Sequence, residues 1–197
     1  SKFLRELGYK YILIKSGFGP TDKSRYADLT LGGVYNEFVK LLVHTSMLRA
    51  IEGRLFFSEW HRDNIIQQFD HLENVYQLKG SKFIFCHFIL PHPPFVFGPN
   101  GEPINVPDHS LGQNIWVPRE RYLGQLNYTN IMVTKAITKI LENSPEPPII
   151  ILQGDHGSTS VNEWDDPSDV FLFERMMILN SFYLPEKDYD QLYPSIS

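Results

Sequence analysis

The sequence has almost no cysteine, no cluster of basic residues and no long apolar run. Its single cysteine among 197 residues, Cys86, excludes a disulfide within the chain. The net charge is -5 with both signs spread along the chain, which argues against a nucleic-acid partner. No stretch reaches the roughly 18 consecutive apolar residues of a membrane span, and no signal-peptide pattern occurs. The chain does contain 42% hydrophobic residues, which suits one domain covering residues 1–197 with a sizeable core.

Both ends of the sequence look cut. Residues 2–8 are typical of the last turns of a helix followed by a glycine stop, and residues 192–197 end without a tail. We therefore expect the chain to be a piece of a longer protein.

The apolar residues alternate between runs typical of strands and spacings typical of helices. Strands are predicted at 9–14, 83–90, 149–152 and 182–185, and helices at 34–44, 60–78 and 118–142. This alternation predicts an α/β fold with a largely parallel sheet covered by helices. Residues 91–117, rich in Pro, Gly and Asn, are predicted to form a long loop, functional or disordered.

The run at 149–152 ends in a carboxylate and an imidazole between two glycines. Four consecutive aliphatic residues predict a central strand buried on both faces, and ligands bind outside the carboxyl ends of such strands. Gly154 and Gly157 permit the backbone to leave strand geometry, so that Asp155 and His156 can converge on one point. An oxygen donor beside a nitrogen donor predicts a divalent metal site. For the pair taken alone, an Asp and a His in an ordinary turn remain the alternative.

A second polar group follows the predicted central strand at 83–90. His92 is flanked by three prolines, which pre-set its backbone and lower the entropy cost of ordering it. If the two strands are neighbours in one sheet, His92 shares a rim with Asp155 and His156. A surface loop histidine is the alternative for His92. His87, inside the apolar run, is predicted to be a satisfied core histidine.

Two segments resemble a known family. The first is Cys86–Phe95, which ends in Pro-His-Pro-Pro-Phe, and the second is Ile149–Gly157, which ends in Asp-His-Gly. Together with the opening Leu4–Tyr9, they resemble the sulfatase-like proteins of the alkaline phosphatase superfamily. Within that superfamily the chain looks most like the bacterial membrane-anchored group of lipoteichoic acid synthases and phosphoethanolamine transferases. The resemblance covers nearly the whole chain.

The resemblance implies an alkaline phosphatase-like fold, truncated at its N-terminal side, and a metal-dependent hydrolase or transferase acting on sulfate or phosphate esters. Asp155 and His156 match two ligands of the catalytic divalent metal, which would be Mn, Zn, Mg or Ca. His92 matches the catalytic histidine that contacts the charged group of the ester. The family's nucleophile and its early acidic ligands would lie before residue 1, so we expect the chain to be inactive alone and to bind metal weakly. Ser16, Ser158 and Thr159 are nucleophile candidates by chemistry only.

The resemblance also implies a partner and a location. The substrate would be a sulfate or phosphate ester, lipid- or glycan-linked, and the membrane-anchored parent would act on the extracytoplasmic face of the cytoplasmic membrane. A non-catalytic carbohydrate- or headgroup-binding domain on the same scaffold is the alternative function. An unrelated α/β protein, in which Asp155 and His156 are incidental, is the third possibility.

Overall fold

A computed structural model describes residues 2–33, 45–47, 57–104, 119–158 and 168–185. The chain divides into two compact units, residues 1–143 and residues 144–197. The helix predicted at 34–44 lies outside the described residues. The expectation of one domain over 1–197 stays a prediction.

The first unit contains a parallel sheet, so the predicted α/β class is confirmed at that level. Its strands are β1 (Lys10–Ile14), β2 (Leu29–Leu31) and β3 (Lys82–Cys86), in the order β2-β1-β3. Both neighbours pair with β1 in parallel, and the register sets Ile14 against Leu31 on one side and Cys86 on the other. Because the strands run the same way, their carboxyl ends meet at one edge of the sheet.

Among the described residues, the helices of the first unit include α1 (Lys2–Glu6), α2 (Gly19–Asp22), α3 (Phe57–Glu73) and α4 (Arg119–Asn143), with a short 3-10 helix at Val75–Gln77. None of the helices in the described residues has both the length and the apolar character needed to cross a bilayer. The helix α3 confirms the predicted amphipathic stripe at Ile65 and Phe69, which are almost fully buried. It ends at Glu73, so the helix predicted over 60–78 is too long, and Tyr76 lies in the 3-10 helix. Phe69 stacks on Phe88 with the ring centroids 4.1 Å apart.

Part of the predicted long loop belongs to the core. Phe95, Val96 and Phe97 are buried, and Val96 and Phe97 join the cluster formed by α3 and by Ala136 of α4. Within the described residues the chain therefore turns inward after Pro94 instead of running over the surface. Residues 105–118 of the predicted loop lie outside the described residues.

The prediction of a central strand over 83–90 is wrong in length. The strand ends at Cys86, and among the described residues β3 pairs with β1 alone, so its central position stays a prediction. The carbonyl of His87 accepts a hydrogen bond from Gln68 of α3 instead of joining a ladder. The apolar residues Phe88 and Leu90 face the helix-lined core, so their burial does not depend on strand pairing.

The second unit contains β4 (Ile150–Gln153), α5 (Asp169–Met176) and β5 (Asn180–Tyr183). The pairing described for the 149–152 strand is antiparallel, because β4 pairs with β5, with Ile150 opposite Tyr183. The predicted burial of both faces is not seen within this unit taken by itself. Ile149 and Ile151 are 68% and 61% exposed, and burial alternates along the strand as in a sheet covered on one face.

Cys86 is the last residue of β3, and its side chain is partly buried. Desolvation raises the pKa of its thiol from 9.0 to about 12. At pH 8 we expect iodoacetamide to alkylate Cys86 at least about 100-fold more slowly in the folded chain than in urea, because only the thiolate reacts. Mass spectrometry over time measures both rates.

The same shift sets the sign of a pH effect on stability. Between pH 9.0 and about 12 the folded chain keeps a thiol proton that the unfolded chain has lost, so its free energy of unfolding falls as pH rises through this window. For the alkylation experiment above, equal rates in the folded and the unfolded chain would show that the end of β3 is open to water.

Candidate functional site

His92 lies in a tight proline-rich turn that follows β3. The Leu90–Pro91 and Pro93–Pro94 peptide bonds are cis. The ring nitrogen Nδ1 of His92 lies 2.6 Å from the carbonyl oxygen of Pro93, so this nitrogen carries the proton and donates it. In the neutral ring the lone pair is therefore on Nε2, and the imidazole is exposed to solvent.

The side chain of Gln125, on α4, forms hydrogen bonds with the backbone of this turn. Its side chain is fully buried, with 0% exposure. The amide oxygen accepts from the backbone N–H groups of Val96 and Phe97 at 2.8 and 3.3 Å. The amide nitrogen donates to the carbonyl of His92 at 3.0 Å and to that of Pro91 at 3.3 Å. One side chain thus satisfies buried polar groups on both sides of His92.

Asp155 and His156 follow β4 in the second unit, and their side chains approach each other. The oxygen Oδ2 of Asp155 lies 3.6 Å from Nε2 of His156. Two ligands bound about 2.0–2.2 Å from one tetrahedral metal ion are about 3.4 Å apart, so the observed spacing suits a shared cation. The Asp155 carboxylate also accepts the backbone N–H of His156 through Oδ1 at 2.9 Å. This second contact fixes the carboxylate beside the imidazole.

Gly157 is needed here because a backbone segment packs directly against it. A β carbon at this position would lie 1.9 Å from the carbonyl oxygen of Glu174 and 2.9 Å from that of Met177, near the end of α5. The N–H of Gly157 donates to the carbonyl of Arg175 at 2.7 Å. Gly154 differs, since a β carbon there would meet only ordinary contacts of 3.7 Å or more. Close packing at Gly157, rather than flexibility at both glycines, therefore positions His156.

Arg175 gives the His156 ring two alternative hydrogen-bond states. The ring nitrogen Nδ1 lies 2.8 Å from the carbonyl oxygen of Gly157 and 2.6 Å from Nη1 of Arg175. A nitrogen cannot donate to the carbonyl and accept from the guanidinium in the same state. When Nδ1 accepts from Arg175, Nε2 carries the proton. When Nδ1 donates to Gly157, the lone pair is on Nε2, beside Asp155. This is the tautomer that metal-binding histidines adopt when a backbone carbonyl supports them.

The donor set at this pair fits a divalent cation. A carboxylate oxygen and an imidazole nitrogen together suit Zn and Mn, whereas Mg and Ca prefer oxygen ligands. Within the part of the chain that the structure describes, no group of three or more His, Cys, Asp or Glu side chains is gathered as a metal site. Asp155 supplies a carboxylate oxygen as one donor, and His156 supplies an imidazole nitrogen as the other. The acidic residues Asp165 and Asp166, which precede α5, lie outside the described residues.

The predicted site residues belong to two different units of the chain. His92 belongs to the first unit, and Asp155 and His156 belong to the second. The convergence of all three on one rim stays a prediction. Of the nucleophile candidates, Ser16 is buried, Ser158 donates its hydroxyl to Glu174, and Thr159 lies outside the described residues.

Two residues of these groups were missed in the sequence. Gln125 precedes Leu126 on the buried face of α4, and its signal is a polar residue within an apolar helical stripe. Arg175 lies in the last turn of α5, a helix that the sequence pattern did not predict. His87 was predicted to be a satisfied core histidine. Its Nδ1 does form a hydrogen bond, at 2.7 Å from the hydroxyl of Thr21, but the residue is partly exposed rather than in the core.

Comparison of the chain with family models, with curated proteins and with solved structures found no match. The resemblance to sulfatase-like proteins therefore stays a prediction from the residues.

We expect Gln125→Leu to loosen the turn that carries His92. Leucine has a similar shape but no acceptor, so the buried N–H of Val96 loses its partner at a cost of about 1–3 kcal/mol. Urea unfolding should show this loss, and amide hydrogen exchange should quicken at Val96 and Phe97. Gln67→Leu, an exposed position on α3, is the matched control and should change neither. Unchanged exchange at Val96 in Gln125→Leu would contradict the role of this amide.

Proposed function

We propose that this protein is a metal-dependent hydrolase or transferase acting on sulfate or phosphate esters, built on an alkaline phosphatase-like fold. The observation that carries the proposal is the 3.6 Å separation between the Asp155 carboxylate and the His156 imidazole at the end of β4. This spacing suits two ligands of one cation. The parallel sheet of the first unit is compatible with the proposal at the level of fold class.

Asp155 and His156 would hold the cation, which is Mn, Zn, Mg or Ca under this proposal. Such a cation lowers the pKa of a nucleophile and neutralises charge on the group being transferred. His156 contributes Nε2 when its Nδ1 donates to the Gly157 carbonyl. Arg175 also donates to that carbonyl, at 3.0 Å, and this contact supports the carbonyl in either state of the ring.

His92 would contact the charged group of the ester. Its Nδ1 donates to the Pro93 carbonyl, so Nε2 carries the lone pair in the ring's neutral form. Protonated, Nε2 donates a hydrogen bond to a non-bridging oxygen or gives its proton to a leaving group. The substrate would be lipid- or glycan-linked, and the parent protein would act outside the cytoplasmic membrane.

The proposal predicts that metal binding depends on Asp155. Isothermal titration of the 197-residue chain with Mn²⁺ and with Zn²⁺ should give a dissociation constant above about 1 μM, because two donors make a partial site. Asp155→Asn keeps the shape but removes the charged donor, and should weaken binding at least about tenfold, or about 1.4 kcal/mol.

The control removes the same charge elsewhere in the second unit. Asp169→Asn changes an exposed residue in the first turn of α5 and should bind metal as the unmodified chain does. Inorganic phosphate or sulfate should also bind more tightly to the metal-loaded chain than to the metal-free chain. Equal metal affinity in Asp155→Asn and Asp169→Asn would refute the metal site. Metal binding without any gain in anion affinity would favour a non-catalytic binding domain.

A further inference from the structure

A chain of two hydroxyl groups and one imidazole lies at the carboxyl edge of the parallel sheet. Ser16 follows β1 by two residues, and His87 follows β3 directly. Thr21 of α2 lies between them. Its hydroxyl oxygen is 2.9 Å from that of Ser16 and 2.7 Å from Nδ1 of His87. In parallel α/β sheets this edge is where ligands bind.

Each of the two hydroxyl groups has one proton, which limits the possible directions of these hydrogen bonds. The backbone N–H of Phe18 donates to the Ser16 oxygen at 3.0 Å. Thr21 has one hydroxyl proton, and its contact with Nδ1 of His87 is the shortest of its hydrogen bonds. When Thr21 donates there, its oxygen still accepts from Ser16. The Thr21 oxygen then stands between a donor and a base, which is the arrangement of an activated hydroxyl nucleophile.

The backbone around this group is held from several sides. Gln68 of α3 donates to the carbonyls of Lys15 and His87 at 2.8 and 3.1 Å, and so ties the ends of β1 and β3 together. Asp22, which is buried, accepts the N–H of Gly17 at 2.8 Å and pairs with the Lys15 ammonium at 3.5 Å.

The three side chains differ in how exposed they are to solvent, and this difference indicates which of them a substrate can reach. Ser16 is only 4% exposed, so a substrate cannot reach it easily. Thr21 and His87 are each partly exposed. The ring of Phe18, itself 48% exposed, lies edge-on to the imidazole with the centroids 6.1 Å apart. Substrate access is therefore at Thr21, with Ser16 behind it.

We propose that Thr21 and His87 form a nucleophile–base pair that reacts with phosphoryl esters carrying a good leaving group. In the reaction the Thr21 oxygen forms a bond to phosphorus while its proton moves to Nδ1 of His87. The bond from phosphorus to the leaving group breaks, and the leaving group departs with the electron pair. Ser16 is a positioning residue, since its hydroxyl orients the Thr21 oxygen. The pair does not depend on the metal site proposed above.

Diisopropyl fluorophosphate tests the pair, because its leaving group is fluoride and it needs no metal. The 197-residue chain is incubated with the reagent in excess EDTA, and the adduct is located by peptide mapping. We expect one diisopropylphosphoryl group, on Thr21, which persists in Thr21→Ser and is lost in Thr21→Val. His87→Gln can accept the Thr21 hydrogen bond but cannot take the proton, so labelling should slow at least about 100-fold.

Three results would overturn the pair: no adduct on the unmodified chain, an adduct that persists in Thr21→Val, or an unchanged rate in His87→Gln. A urea unfolding midpoint for each variant shows whether it is folded. If Thr21→Val fails to fold, the comparison of the unmodified chain with Thr21→Ser and His87→Gln still decides, because both replacements retain a hydrogen bond between the two positions.

Discussion

Two buried amide side chains fix the backbone that carries the polar residues of the first unit. Gln68 is 2% exposed and bonds the carbonyls at the ends of β1 and β3, and Gln125 bonds the turn around His92. A buried polar group left without a partner costs about 1–3 kcal/mol. Each glutamine therefore strongly disfavours any shift of the backbone it holds. The positions of His87 and His92 both follow from this constraint.

The elements of the first unit that could be predicted are those with strong local signals. The strand β1 and the helix α3 have the aromatic, branched and amphipathic patterns that decide structure within a few residues. The end of β3 could not be predicted, because residues after Cys86 stay apolar for burial against the helices rather than for strand pairing. The bonds of Gln68 and Gln125 join residues 19 to 53 positions apart, and no local pattern encodes them.

In the second unit the sequence predicted the two strands but not their antiparallel pairing. The aliphatic run at β4 is compatible with either pairing direction, and in the structure β4 pairs with β5 in antiparallel register. The approach of Asp155 to His156 follows from their adjacency and from Gly157, whose packing against the end of α5 leaves no room for a side chain. Arg175 could not be predicted as a neighbour of His156, because α5 itself was not recognised in the sequence.

The functional proposal depends on a cation held by one carboxylate and one imidazole, and the imidazole can be detected directly. Pulsed electron paramagnetic resonance of Mn²⁺ bound to the 197-residue chain reports nitrogen atoms coordinated to the ion. We expect a coupling from one imidazole nitrogen, present in the unmodified chain and in Asp169→Asn, and absent in His156→Ala. A spectrum of fully hydrated Mn²⁺, or a nitrogen coupling that survives in His156→Ala, would contradict a metal site at Asp155 and His156.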